Sequence, residues 1–89
     1  LLATHMFTPV RVRLARQLLE LAKRDDSRLV VLASQQELAD AIGSVREVVS
    51  RNIVAFKSEG LVARSGRGLE LLDLSTIYEI AHNDTTLSQ

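Results

Sequence analysis

The chain has 89 residues, 46% of them hydrophobic, enough for one small domain with its own core and too few for two. Cysteine is absent, which excludes a disulfide framework, a thiolate metal site and a catalytic thiol, and suits a reducing cytoplasm. The 11 basic and 11 acidic residues cancel, so the total charge does not itself suggest a nucleic-acid binder, and no apolar run approaches the roughly 18 residues of a membrane span.

Residues 1–7 are set aside as a cloning remnant or the end of an upstream linker helix. Thr8 then stands as an N-cap candidate with Pro9 at the first helical position. Val10, Leu14, Leu18 and Leu21 form one apolar stripe, with Val12, Ala15, Leu19 and Ala22 beside it. Arg13, Gln17, Glu20 and Arg24 mark the wet face, and the spacing predicts a long helix over 8–24. Asp25, Asp26 and Ser27 break it, and the apolar run 29–32, with two adjacent valines, predicts a strand. Ser34 and Glu37 have the spacing of a capping box. They open a helix whose inner face is Leu38, Ala39 and Ile42 and which Gly43 ends.

Ser44 and Glu47 repeat the capping-box spacing directly after that glycine. Helix, glycine turn and helix in such quick succession is helix-turn-helix spacing, with the second helix over 44–58 and Gly60 as its stop. Residues 61–64 and 69–72 are strand candidates flanking Ser65-Gly66-Arg67-Gly68, which is a hairpin signal. Asp73 caps a last helix over 74–82 with Ile77, Ile80 and Ala81 turned inward, and 83–89 reads as a flexible tail. The predicted fold is mainly α with a small antiparallel sheet, a winged helix-turn-helix domain over 8–82.

Charge is segregated along this domain. From 44 to 68 the basic residues are Arg46, Arg51, Lys57, Arg64 and Arg67 against Glu47 and Glu59. After Gly68 only acids follow: Glu70, Asp73, Glu79 and Asp84. Distribution, more than total, sets a local field. On a helical wheel Val45, Val48, Val49, Ile53 and Phe56 share the half expected to be buried, with Asn52 near its edge. Arg46, Glu47, Ser50, Arg51, Val54 and Lys57 share the exposed half. Arginine offers a fork of donors to guanine O6 and N7, and glutamate accepts from the cytosine amine. Arg46, Glu47 and Arg51 are therefore base-contact candidates for a short G/C-containing patch. Ser50 on the same half, and Arg64 and Arg67 on the hairpin, are candidates for the DNA backbone. Lys57 reads as a solvated charge. Glu47 has two readings: a base reader, or the capping-box partner of Ser44.

The stretch "SQQELADAIGSVREVVSRNI", followed by "FKSEGLVARSGRGLELLDL", resembles the C-terminal DNA-binding domain of the cyclic-AMP receptor protein/FNR (CRP/FNR) family of bacterial transcription regulators. The resemblance spans about 8–82, and its R-E-x-x-x-R core is its most specific part. It implies base contacts from Arg46, Glu47 and Arg51 and phosphate contacts from Ser34 and Gln36. Val45 departs from the small hydroxyl residue common there, which leaves Ser44 as the expected N-cap. The resemblance further implies an N-terminal sensor and a dimerisation helix, neither of which fits before Thr8, so the effector is left unassigned and no cofactor is expected in this domain. The expected partners are double-stranded DNA with a palindromic operator, and RNA polymerase. A homodimer is expected of the full-length protein and a monomer of this chain. No membrane contact is expected, and the location implied is the cytoplasm. The other reading is a winged-helix module that docks protein. An enzyme is not expected, because nucleophile, base and metal-ligand residues do not converge in the sequence, and His5 and His82 lack a second ligand at metal spacing.

Overall fold

The computed structural model describes residues 8–82. The seven residues set aside at the start, with His5, and the tail expected over 83–89 lie outside them. The elements run α1 (Val10–Leu21), β1 (Lys23–Asp25), β2 (Arg28–Val31), α2 (Gln35–Ile42), α3 (Arg46–Ser58), β3 (Val62–Ser65), β4 (Gly68–Leu71) and α4 (Leu74–Ala81). The strands make one antiparallel four-stranded sheet in the order β1-β2-β4-β3. This is a winged helix-turn-helix, as the element order predicts.

The first helix is shorter than its apolar period suggests. Its N-cap is Pro9, not Thr8, and no side chain caps it. Its C-cap, Ala22, is extended, and Lys23–Asp25 pairs with Arg28–Val31 as a hairpin instead of continuing the helix. Asp26 makes the turn at φ 59°, a left-handed conformation that aspartate tolerates better than most residues. All three residues of β1 are exposed and charged, so no alternation betrays the strand. Charge on an edge strand also discourages further pairing.

Helix α2 opens as expected. The Ser34 hydroxyl accepts from the Glu37 amide at 3.0 Å, and the Glu37 carboxylate accepts from the Ser34 amide at 2.8 Å. Gly43 ends the helix in the left-handed region at φ 71°. The second expected capping box does not form. The N-cap of α3 is Val45, in extended conformation without a side-chain cap bond. Val45 is therefore outside the helical register, and it is 58% exposed where the wheel had it buried. Gly60 supplies the stop for α3 at φ 77°, with its amide donating to Lys57 O and the Leu61 amide to Phe56 O.

The wing is tighter than the sequence suggests. Strands β3 and β4 pair up to Ser65 and Gly68, which leaves only Gly66 and Arg67 in the turn. Gly66 has φ 58°, and a positive φ at the first central residue is the hairpin-turn arrangement that favours glycine there. At Gly68 the reason for glycine is different: a Cβ would lie 2.1 Å from the Val31 carbonyl oxygen, at the end of β2 where it pairs with β4.

One core joins these elements. Leu14 and Leu18 of α1 meet Leu38 of α2, Val49, Ile53 and Phe56 of α3, Val31 and Leu69 of the sheet, and Ile77 of α4. Three arginines of α1 then tie the C-terminal ends of three other helices. Arg11 grips Glu59 just past α3 with two bonds, of 2.9 and 2.6 Å, and lies over the Phe56 ring. Arg13 donates to Ile42 O at the end of α2 and to the Thr8 carbonyl. Arg16 donates to Ala81 O at the end of α4. Helix C-termini carry unsatisfied carbonyls and partial negative charge, so a guanidinium suits them. Arg13, expected on the wet face, is thus half-buried and structural. No described helix is long and apolar enough to cross a membrane.

Candidate nucleic-acid interface

Helix α3 packs Val49, Ile53 and Phe56 inward and leaves a broad outer face. Arg46, Glu47, Arg51, Val54 and Lys57 are exposed on it, and Ser50 is half-buried between them. Asn52, near the edge of the buried half, bonds back to Val48 O at 2.9 Å and so satisfies itself within the helix. The face has two sides. At roughly 100° per residue, Arg46 and Lys57 fall within about 20° of each other, whereas Glu47 and Arg51 point some 100–140° away from Arg46.

The Arg46 side looks onto the wing. A groove of about 480 Å³ runs between them, lined among others by Ser34 and Gln36 of the α2 start, Arg46 and Lys57 of α3, and Arg64 and Arg67 of the wing. No acidic residue lines it. The fold thus brings five of the sequence candidates, Ser34, Gln36, Arg46, Arg64 and Arg67, to one groove. Glu47, Ser50 and Arg51 do not line it; Glu47 and Arg51 point away from the wing, whereas Ser50 lies about 40° round the helix from Arg46. Lys57, read from sequence as a solvated charge, belongs to the groove. The signal was present, since Arg46 and Lys57 lie about three helical turns apart, but only the position of the wing gives it meaning.

The electrostatics of the groove follow from how the other charges are used. Among the described residues, Arg46, Arg51, Lys57, Arg64 and Arg67 form no ion pair or side-chain hydrogen bond, while Arg11, Arg13, Arg16 and Arg28 are engaged. Two of the neighbouring acids are engaged too. Glu59 is held by Arg11, whose hydrogen bond keeps the carboxyl below its ordinary pKa. Glu70 faces Arg28 at 3.7 Å. Arg28 also donates to Ser65 Oγ at 3.1 Å, reaching from β2 to the base of the wing. A chain of zero net charge therefore presents a groove lined by cations with no acid among its lining residues.

Two further candidates have local partners. Gln36 donates to Asp40 at 2.9 Å, which occupies its amide in the free domain. The Ser34 hydroxyl accepts in the capping box, but its own proton is free to donate. Glu47 makes no side-chain bond among the described residues, so its capping-box reading fails with that of Ser44 and its carboxylate is available. Among the described residues no group of histidine, cysteine and acidic side chains could hold a metal ion.

Comparison with known proteins gives the family and the fold. Residues 12–80 match the Crp-like helix-turn-helix domain family. The chain is 41% identical over 73 residues to the transcriptional regulator LdrP of Thermus thermophilus, an alignment covering 76% of this chain and 37% of that protein. It is 32% identical over 78 residues to a CRP-like cAMP-activated global transcriptional regulator of Mycobacterium tuberculosis, covering 81% of this chain and 35% of that one. A crystal structure of a CRP/FNR-family transcriptional regulator from Thermus thermophilus superposes with a TM-score of 0.78 at 33% identity, over 90% of this chain and 44% of that one. The chain thus spans under half the length of these relatives. Matched over most of its length in sequence and in fold, it belongs to the CRP/FNR family of transcription regulators, as a Crp-like helix-turn-helix domain.

Proposed function

We propose that this chain is the part of a bacterial transcription regulator that reads double-stranded DNA, with α3 in the major groove. Arg46, Glu47 and Arg51 face base edges at the N-terminal end of the helix, where recognition helices read sequence. Ser34, Gln36, Ser50, Arg64 and Arg67 meet phosphates, Ser34 and Gln36 at the start of α2, where free amides and the helix dipole favour an anion. Gln36 exchanges its bond to Asp40 for the DNA. The observation that carries this reading is the acid-free cationic groove in a chain of zero net charge, whose other arginines are mostly spent within the fold. Protein docking fits this face less well, because Val54 is the one exposed apolar side chain on the body of α3 and such surfaces are usually richer in apolar and aromatic groups.

The full-length protein acts as a homodimer on a palindromic operator, with RNA polymerase as a further partner, in the cytoplasm. This chain alone is a monomer that binds DNA weakly, since it lacks the effective concentration that tethering two copies gives. No cofactor is assigned to this domain. The test is anisotropy of a labelled duplex titrated with the chain at several salt concentrations. Binding driven by phosphates weakens steeply and log-linearly as salt rises. Binding that is absent at low salt, or indifferent to salt, would refute the reading.

A further inference from the structure

Lys57 has an ordinary explanation: it stands in the last turn of α3, where a cation suits the helix dipole. That explanation does not account for its surroundings. Glu59, the nearest acid along the chain, is turned to Arg11 and held there by two bonds, so Lys57 has no partner on its own element. Across the groove stand Arg64 and Arg67, and Glu70 beside them in the sheet is drawn to Arg28. Lys57, Arg64 and Arg67, with Arg46 farther along, therefore line one groove that has no carboxylate among its lining residues. Bringing like charges together is unfavourable in the free domain. A polyanion lying between them would turn that repulsion into attraction.

We propose that Lys57, Arg64 and Arg67 form one phosphate-holding track, in which a strand of the DNA backbone lies in the groove between α3 and the wing. This rests on the DNA-binding reading and extends it to the C-terminal half of α3, away from the base-reading end. The residues have suitable chemistry for an ordered division of labour. Lys57 is a compact charge on a flexible stem, and the two arginines offer forked donors to phosphate oxygens. Lys57 lies eleven residues beyond Arg46, a rise of about 16 Å along the helix, so the groove is long enough to take more than one phosphate. Glu47 and Arg51 point away from it and are left for the bases.

The test is the salt dependence of duplex binding for the chain with Lys57→Gln, Lys57→Arg and Arg64→Gln, each on two unrelated sequences. Each phosphate contact contributes about 0.9 to the slope of log affinity against log salt. Lys57→Gln and Arg64→Gln should each lower the slope by about that amount on both sequences. The affinity lost between about 50 and 200 mM salt then shrinks about threefold. Lys57→Arg should keep the wild-type slope. If Lys57→Gln leaves the slope unchanged while wild type binds with its normal salt dependence, Lys57 holds no phosphate and the proposal fails while the DNA reading stands. A slope lowered on one sequence only would make Lys57 a reader, which also contradicts the track. If wild type itself binds no duplex, both readings fall together.

Discussion

Replacing Phe56 by alanine tests how α3 is held. Its ring is fully buried, packed on the one core that joins α1, α3 and the sheet, and the Arg11 guanidinium lies over it at 5.0 Å. Truncation of a buried phenylalanine costs about 3–5 kcal/mol, part in transfer and part in the cavity left behind. The Arg11 contact adds about 0.5–1 kcal/mol at a partly exposed site. A domain of this size is stable by only about 4–11 kcal/mol, so the variant should sit close to its unfolding midpoint. Urea unfolding followed by far-ultraviolet circular dichroism measures this directly. With a slope of about 1–1.5 kcal/mol per molar for a small domain, the midpoint should fall by roughly 2–6 M. Phe56→Leu, which keeps most of the volume, should lose less than half as much. A loss below about 1 kcal/mol for Phe56→Ala would mean that the ring is not the keystone of the inner face, and the orientation assigned to Arg46 and Arg51 would lose its basis.

Gly68→Ala places a methyl against the Val31 carbonyl, a backbone group that cannot turn aside; thermal unfolding should show a loss of at least about 1–3 kcal/mol, and a tolerated alanine would mean that the end of β2 does not lie so close to Gly68. Val45→Ser supplies the side-chain cap that α3 lacks, at an exposed position where little burial is lost, and should stabilise by about 0.5–2 kcal/mol in the same assay. Asp73 accepts from the Thr76 hydroxyl at 2.8 Å and its amide at 3.1 Å, which holds its carboxyl below the ordinary value of 3.8. Because the folded-state pKa is lowered, that contribution is complete above the ordinary value and is lost as pH falls through the folded one. Asp73→Asn should therefore flatten the decline of stability with acid in urea titrations below about pH 4, and an unchanged acid limb would show that the cap is not linked to folding.

Much of this was legible in the chain because the relevant signals are local. The Ser34–Glu37 box, the Gly43 and Gly60 stops and the Asp73 cap each involve residues within one turn, and each forms as expected. The buried stripe of Val49, Ile53 and Phe56 obeys the helical period. Strand β1 escaped because three exposed charged residues carry no alternation. Val45 escaped because the wheel holds only inside a helix, and this residue is the cap. The α1 arginines look solvated by spacing, since the carbonyls they reach are on helices distant in sequence. The cationic groove is likewise a property of two elements meeting: the basic stretch 44–68 holds the residues of both walls, but nothing in it says that α3 and the wing face each other.

In the proposed complex the N-terminal end of α3 reads bases while the wing holds backbone. A competition titration of Arg46→Ala and Arg67→Ala against a preferred and a scrambled duplex, at several salt concentrations, tests it most directly. Arg46→Ala should cost about 1–3 kcal/mol on the preferred site and relax the preference at one G·C pair, with less change on scrambled DNA. Arg67→Ala, in a two-residue turn beside Gly66, should weaken both duplexes alike and lower the salt slope by about one unit. If Arg46→Ala weakens the two duplexes equally, Arg46 is a backbone clamp like its neighbours in the groove, and α3 does not read sequence from that end.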